Sequence, residues 1–100
     1  MVERLFVYGT LTIPTVQQVV LGRKVTGTPD SLLGFRKSEI RLGQHQYPIA
    51  VPEANSRLDG LMLELTLEEL ARADAYETDA YQRIRVTLAS GAEVWMYALP

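Results

Sequence analysis

Two stretches of the chain alternate apolar side chains with others, as half-buried β-strands do. Leucine occupies every second position from Leu61 to Leu65. Further along, the apolar residues at positions 84, 86 and 88 alternate with arginine or threonine, and a Ser-Gly pair then leads into residues 93–98. The pattern predicts a strand over residues 58–65 and a hairpin formed by the last two strands of the chain.

The other strand signals are shorter or interrupted. Residues 5–8 (LFVY) form an apolar run that ends at Gly9, which predicts a buried strand followed by a loop. Residues 25–42 are strand-like, but glycine and proline interrupt them, so we expect bent or bulged strands there. Residues 43–46 and 53–56 are predicted as turns, one on either side of a short extended segment.

Two helices are predicted from the residues at their ends. Pro14 suits a first helical turn, and valines with i, i+3, i+4 spacing follow until Gly22, which would end this short helix. Thr66 and Glu69 have the spacing of a capping box, which opens a second helix. That helix is predicted to be the longest and to run to position 76 or 77.

The elements add up to a single α+β domain over residues 1–100. Five to seven strands are expected in a mostly antiparallel, barrel-like sheet, with one or two short helices. The chain has 100 residues, of which 47% are hydrophobic and 22% charged, so it can bury a core without covalent cross-links. No linker or internal repeat divides it.

Charge and cysteine content exclude several classes of function. The net charge of −2 and the scattered basic residues argue against binding to nucleic acid or to anionic membranes. The absence of cysteine excludes a disulfide framework, a thiolate nucleophile and a cysteine zinc site. The single histidine, His45, lies in a predicted turn with no metal-ligand partner nearby, so no metal site is expected. No apolar run is long enough for a signal peptide or a membrane helix, which predicts a cytoplasmic location.

The most informative arrangement lies on the second helix. Leu70, Asp74 and Glu77 have i, i+4, i+7 spacing and share one face. Leu67 and Leu70 mark this face as directed towards the core, so the two carboxylates would continue an apolar stripe inward. Burial raises the pKa of a carboxylate towards the range in which it can act as a base at neutral pH. The alternative is that both carboxylates lie at the rim, exposed to solvent or capping backbone amides.

A second candidate feature is the Tyr-Gly-Thr-Leu sequence at positions 8–11. A chain that leaves a strand through glycine can turn its amides outward, where they bind carboxylates or oxyanions, and glycine lets a ligand approach the backbone closely. An ordinary turn after a strand explains the same residues equally well. Neither a phosphate-binding loop nor a nucleophile-elbow serine is present in the sequence.

Four blocks of the sequence resemble the γ-glutamylcyclotransferase-like superfamily, which includes γ-glutamylamine cyclotransferases and AIG2-like proteins. They occur in the family's order, at residues 5–11 (LFVYGTL), 47–51 (YPIAV), 59–65 (DGLMLEL) and 74–83 (DAYETDAYQR). The resemblance implies a barrel-like α+β fold with a cavity between the first-strand loop and the second helix. Two features depart from the family pattern: Thr78 stands where many relatives have glycine, and the chain is near the short end for the family.

The resemblance also implies roles for individual residues. It makes Glu77 the proton acceptor, and it makes the first-strand loop the part that holds the substrate's glutamyl end. Two further tyrosines would shape the pocket. The implied substrate-binding residues are Tyr8, Gly9, Thr10, Leu11, Tyr47 and Tyr81.

The implied reaction is intramolecular. The α-amine of a small γ-glutamyl compound attacks its own γ-carbonyl, which forms 5-oxoproline and releases an amine or amino acid. This chemistry requires neither a metal nor an organic cofactor. The resemblance is compatible with a monomer or a weak homodimer, without a nucleic-acid or membrane partner. Two alternatives stay open: a non-catalytic module that binds a small ligand in the same cavity, and a structural homodimer that pairs through an apolar edge around residues 95–97.

Overall fold

The computed structural model describes residues 2–100, apart from the side chain of Leu42. Five strands and two α-helices are present in this part of the chain. In order they are β1 (Glu3–Val7), α1 (Pro14–Leu21), β2 (Thr28–Leu42), β3 (His45–Leu65), α2 (Leu67–Glu77), β4 (Gln82–Thr87) and β5 (Glu93–Ala98), with 3-10 turns at Thr10–Thr12 and Thr78–Ala80. None of these helices is long and apolar enough to cross a membrane.

The strands form one mixed sheet in the order β2-β3-β1-β5-β4. All neighbouring pairs are antiparallel except β1 and β5, which run parallel. The sheet curls until the turn after β4 reaches β2, where the Ala89 amide donates a hydrogen bond to the Ser31 carbonyl at 2.7 Å. The prediction of an α+β domain with a mostly antiparallel, barrel-like sheet is therefore confirmed, in the form of a half-barrel.

Strand β1 separates two apolar clusters because successive side chains point to opposite faces of the sheet. Phe6 packs inside the curl with residues such as Met96. Leu5 and Val7 point the other way, towards the helices, and pack with residues such as Leu70 of α2. The first strand thus joins the interior of the half-barrel to the layer of helices, and the loop that follows it starts between the two.

The predicted signals at the helix ends are present. The Glu69 amide donates to the Thr66 hydroxyl at 3.1 Å, and the Thr66 amide donates to the Glu69 carboxylate at 2.9 Å, which completes the capping box. Helix α2 is the longest helix among the described residues. Helix α1 ends at Gly22, whose φ of +90° lies in the left-handed region that favours glycine.

The predictions for the middle of the chain need correction. Residues 53–56 do not form a turn between strands, because they lie within the continuous strand β3. Leu33 pairs with Arg57 and Phe35 with Pro52, so four residues of β3 lie opposite one residue of β2. The β2–β3 ladder continues on both sides of these four residues, which form an irregularity of the bulge type within it. Within residues 43–46 the turn is also shorter than predicted, since β3 already begins at His45.

The postulated apolar edge around residues 95–97 is absent from the sheet. These residues belong to β5, which pairs with β1 on one side and with β4 on the other. The backbone groups of an interior strand are already used within the sheet, so β5 cannot add a strand from a second chain. A homodimer that pairs around these residues would therefore need a contact other than strand addition.

Candidate active site

A cavity of about 390 Å³ opens where the loop after β1, the start of β3 and the end of α2 meet. Its volume lies within the range of small-molecule sites. All seven residues named as site candidates from the sequence line this one cavity: Tyr8, Gly9, Thr10, Leu11, Tyr47, Glu77 and Tyr81. Among the described residues that line it, Glu77 is the only carboxylate, and none is a lysine, arginine or histidine.

Glu77 is the last residue of α2, and its carboxylate is half-buried in the cavity wall. Burial raises the pKa of this carboxylate from 4.5 to about 7, and no opposing charge or hydrogen bond from the described residues offsets the effect. A carboxylate with such a pKa is about half ionised at neutral pH. It can therefore take up a proton from a ligand and return it.

Asp74 shares the helical face but has a different environment. Its carboxylate accepts a hydrogen bond from the Tyr97 hydroxyl at 2.7 Å and lies 3.3 Å from the guanidinium of Arg83. Both partners come from the β4–β5 hairpin, so Asp74 joins α2 to the sheet. Of the two carboxylates predicted to face inward, only Glu77 lines the cavity without such a partner.

The apolar stripe of α2 differs from the predicted one at its first residue. Leu70 and Ala73 are buried against the sheet, as expected for residues that precede an inward Glu77. Leu67 was expected on the same buried face, but its side chain is 60% exposed. It occupies the first helical position, before the part of the helix that packs on the sheet. The i, i+3 spacing of Leu67 and Leu70 therefore wrongly predicted that Leu67 is buried.

The loop after β1 uses its carbonyl groups for hydrogen bonds. The Gly9 carbonyl accepts from the Thr12 amide at 3.1 Å and from the Thr12 hydroxyl at 2.6 Å. The Thr10 carbonyl accepts from the Ile13 amide at 3.0 Å. In the described part of the chain, the hydrogen bonds of this loop do not use the amides of Gly9, Thr10 or Leu11. These three residues line the cavity, where their amides are candidate donors to a ligand.

Glycine at position 9 is required by a close contact across the cavity. A Cβ atom at this position would lie 2.9 Å from the Cγ atom of Pro48, which is closer than real Cβ contacts. Pro48 follows Tyr47 in β3 and lines the same cavity. The Tyr-Gly sequence of the first loop and the Tyr-Pro sequence of β3 are thus in direct contact, although they lie about 40 residues apart in the chain.

Two tyrosines of the cavity wall are fixed by backbone groups. The Tyr8 hydroxyl donates to the Tyr97 carbonyl at 2.6 Å and accepts from the Ala50 amide at 3.3 Å. Burial raises the pKa of Tyr8 far above its ordinary value. The Tyr81 hydroxyl donates to the Pro48 carbonyl at 2.9 Å, and burial raises its pKa as well. Both phenols therefore stay neutral and form rigid walls beside Glu77.

At the cavity mouth the loop contacts α2. The Thr10 hydroxyl and the Tyr76 hydroxyl are hydrogen-bonded at 2.8 Å, so the two walls touch at this point. The side chains of Tyr76 and Tyr47 are 43% and 38% exposed, respectively, which places them at the rim. The sequence alone assigned no role in the site to Tyr76 or Tyr97. Tyr97 does line the cavity, and no local pattern signalled its bond to Asp74.

Thr78, which follows Glu77, has an unusual backbone conformation. Its φ of +60° and ψ of −166° lie in a region that glycine occupies and that is unfavourable for a β-branched residue. Glycine, which the resembled family pattern has at this position, would adopt this conformation without strain. The turn after α2 directs the chain so that Tyr81 meets β3, and this turn requires a positive φ directly after Glu77.

Comparison with known proteins identifies relatives over nearly the whole chain. A family model described as "Gamma-glutamyl cyclotransferase, AIG2-like" matches residues 5–100. AIG2-like protein A of Arabidopsis thaliana is 33% identical over 85 residues, which cover 84% of this chain and 50% of that protein. AIG2-like protein C of the same plant is 34% identical over 92 residues, or 89% of this chain and 52% of that protein. The chain thus spans about half the length of the curated relatives it matches.

Solved structures share the fold. An Arabidopsis thaliana protein solved in solution superimposes with a TM-score of 0.85 at 25% identity, over 99% of this chain and 62% of that one. A structure described as a gamma-glutamyl cyclotransferase superimposes with a TM-score of 0.81 at 12% identity, over 100% of this chain and 68% of that one. At such low identity the second likeness concerns the fold alone. It confirms the barrel-like fold that the resemblance implied.

Proposed function

This chain belongs to the gamma-glutamyl cyclotransferase, AIG2-like family, and we propose that it is an enzyme that converts γ-glutamyl compounds into 5-oxoproline. The observation that carries the proposal is the state of Glu77. Its half-buried carboxylate has a pKa of about 7 and lines a cavity opposite a loop whose amides are available. Perturbed carboxylates in cavities are typical of general bases.

The chemistry of the cavity fits the amino-acid end of a γ-glutamyl compound. Glu77 offers an acceptor for an ammonium group, and the amides of residues 9–11 offer donors for a carboxylate. Since the described lining includes no cationic side chain, a carboxylate of the ligand has the backbone amides as its partners. An α-ammonium and an α-carboxylate on one carbon match these two groups.

The proposed reaction starts with a proton transfer. The α-ammonium has a pKa near 8 and becomes a nucleophile only after it loses a proton, which the Glu77 carboxylate accepts. The amine nitrogen then bonds to the γ-carbonyl carbon. Glu77 returns this proton to the leaving nitrogen, and the original amide bond breaks. The attacking nitrogen gives up a second proton as it becomes the lactam N–H, and the released amine takes up that proton, so 5-oxoproline and an ammonium ion result. Atoms and charges balance without water, an oxidant or a metal.

Rigid walls contribute to the rate because the reacting groups are already in one molecule. The attack requires a folded-back conformer of the glutamyl chain. If the cavity holds this conformer, the entropic cost of reaching it no longer adds to the activation barrier. Tyr8 and Tyr81 are suited to this role, since backbone groups fix both hydroxyls. They shape the space beside Glu77 without competing for its proton.

A non-catalytic binding module is the second candidate. The observation that favours it is the unfavourable backbone conformation of Thr78, which directly follows Glu77. A shift of this turn would move the carboxylate relative to the ligand. The same amides and carboxylate would then hold an amino-acid head without turning the ligand over.

The test is to incubate the protein with a panel of γ-glutamyl amines, γ-glutamyl amino acids and γ-glutamyl-ε-lysine. Release of 5-oxoproline is measured by mass spectrometry against a control without protein, because such compounds also cyclise slowly by themselves. We expect at least one member of the panel to be converted faster than in the control. Binding of panel members without any 5-oxoproline would instead establish the binding module.

A further inference from the structure

Gln17 is a buried polar residue outside the cavity that is bonded to the loop forming its wall. It lies in the first turns of α1 and is only 1% exposed. Its side-chain Nε2 donates to the Leu11 carbonyl at 2.9 Å, and its Oε1 accepts from the Val25 amide at 2.8 Å. A buried amide is costly unless its groups are bonded, and here both ends of the side chain have a partner.

The bond to Leu11 fixes more than one peptide. Because the peptide unit is planar, holding the Leu11 carbonyl in place directs the amide of Thr12 to the opposite side. The Thr12 amide donates to the Gly9 carbonyl, and that carbonyl in turn sets the direction of the Thr10 amide. One side chain on α1 is therefore connected through two peptide units to an amide of the cavity wall.

The other hydrogen bonds of the loop do not hold the Leu11 carbonyl: the Thr12 hydroxyl donates to the Gly9 carbonyl at 2.6 Å, and the Ile13 amide donates to the Thr10 carbonyl at 3.0 Å. The Leu11 side chain is buried against the helices and holds the loop in position. A side-chain contact does not, however, select which way each peptide plane faces. The peptide between residues 11 and 12 could flip while the leucine stays buried, and only the Gln17 bond fixes its carbonyl among the hydrogen bonds of the described residues.

We propose that Gln17 is a positioning residue that keeps the Thr10 amide directed into the cavity, beside the amides of Gly9 and Leu11, and so sets the affinity for the ligand's carboxylate. The proposal rests on the proposed function, since it assumes that these amides bind the amino-acid end of the substrate. It adds a residue outside the cavity lining and outside the four sequence blocks that suggested the site. Its effect is on binding of the carboxylate and not on proton transfer by Glu77.

The experiment follows the backbone amides by NMR while L-glutamate is added to the ¹⁵N-labelled protein. Three proteins are compared: wild type, Gln17→Met and Gln18→Met. Gln18 is the matched control, since its Nε2 donates to the Gly22 carbonyl at 2.9 Å and does not contact the loop. We expect Gln17→Met to weaken L-glutamate binding about tenfold, as loss of one buried hydrogen bond does, and Gln18→Met to leave it unchanged.

A second variant covers the case in which Gln17→Met does not fold. Gln17→Glu keeps an oxygen for the Val25 amide but can donate to the Leu11 carbonyl only when its carboxyl is protonated. The ratio of its dissociation constant to that of wild type should be largest at high pH and should fall towards one as the pH drops. The ratio cancels the pH dependence of Glu77, which both proteins share.

The outcomes separate this inference from the proposed function. If L-glutamate shifts no amide of residues 9–11 in the wild type, the amide site is wrong and this inference fails, while 5-oxoproline release from the panel still decides the proposed function. If the wild type binds while the Gln17→Glu ratio stays at one at every pH, only the positioning role is overturned. A purely structural Gln17 would lower the thermal midpoint of its variants and leave that ratio flat.

Discussion

Glu69 near the start of helix α2 and Glu77 at its end have opposite environments. At the start, Glu69 accepts hydrogen bonds from the Thr66 amide at 2.9 Å and from Arg23 at 2.5 Å, and these lower its pKa to about 2. At the end, Glu77 is half-buried and has no such partner among the described residues, and burial raises its pKa to about 7. The same side chain on one helix is thus a stabilising cap at one end and a poised base at the other.

The threonines beside these glutamates differ in the same sense. Thr66 has extended backbone geometry and accepts from the Glu69 amide, which is a favourable N-cap. Thr78 has a positive φ that its branched side chain disfavours. The start of α2 therefore stabilises the helix through its capping box. The end of α2, where the proposed chemistry takes place, has two unfavourable features: the half-buried carboxylate of Glu77 and the positive φ of Thr78.

The largest difference between the ends should be seen in turnover. Glu77→Gln keeps the size of the side chain but removes its basicity, so we expect 5-oxoproline release to fall roughly 10²–10⁴-fold. Ligand binding should change far less, because the loop amides supply most of the recognition. The thermal midpoint should hold or rise slightly, since a neutral amide is less costly to bury than a carboxylate. Glu64→Gln, at an exposed position of β3, is the matched control and should keep full turnover.

The pH dependence of stability should separate the two glutamates next. The lowered pKa of Glu69 means that its contribution is present above about pH 4.5 and is lost as the pH falls towards 2. The raised pKa of Glu77 acts in the opposite direction, because the folded state keeps a proton that the unfolded state releases. Its effect lowers stability as the pH rises from 4.5 to about 7.

Thermal midpoints across this pH range test both effects by difference. Glu69→Gln should flatten the acid part of the curve relative to wild type, and it should lower the midpoints between pH 4.5 and 7 without changing the slope there. Glu77→Gln should do the reverse. If Glu77→Gln leaves the curve parallel to wild type between pH 4.5 and 7, the carboxylate is not desolvated as described.

A smaller effect is expected from the N-cap. Thr66→Ala removes the hydroxyl that accepts from the Glu69 amide, and we expect a loss of about 1 kcal/mol in the free energy of unfolding. Urea denaturation measures this loss. Thr15→Ala serves as the control, since Thr15 is exposed within α1 and caps no helix. Equal stability of the two variants would show that the cap contributes nothing.

The smallest effect, of opposite sign, is expected after Glu77. Thr78→Gly relieves the positive φ, which costs about 1–3 kcal/mol for such a residue, but adds about 0.5–1 kcal/mol of unfolded-state entropy. Glycine also loses the hydroxyl that accepts from the Ala80 amide at 3.3 Å, so we expect only a small net gain, about 0.5 kcal/mol, in urea denaturation. Thr78→Ala removes the hydroxyl and keeps the Cβ, so it should gain less. If the Thr78→Gly protein were less stable than Thr78→Ala, the positive φ of Thr78 would not be a source of strain.

The start of α2 could be predicted from local sequence, because a capping box involves residues only three positions apart. The last hairpin was equally local, since alternation and a short turn define it. The extent of β2 and β3 could not be read locally, because turn-forming residues at 53–56 are tolerated wherever a partner strand holds the chain on both sides. Their neighbours in the sheet decide their conformation.

The site was predictable only in part, for the same reason. The i, i+4, i+7 spacing placed Asp74 and Glu77 on one face but could not tell them apart. Their difference depends on Tyr97 and Arg83, which come from a hairpin later in the chain. The bond from Gln17 to the loop likewise depends on how α1 turns back after Ile13. Such contacts arise from tertiary packing, and no residue pattern in the sequence records them.

The most direct test of the account is a ¹³C NMR titration of the glutamate side-chain carboxyls. In the wild-type protein between pH 2 and pH 9, we expect the carboxyl of Glu77 to titrate with a midpoint near 7. Glu69, observed in the same spectra, should stay ionised down to about pH 2. A midpoint near 4.5 for Glu77 would mean an ordinary solvated carboxylate, and it would contradict the claim that the cavity prepares this residue to accept a proton at neutral pH.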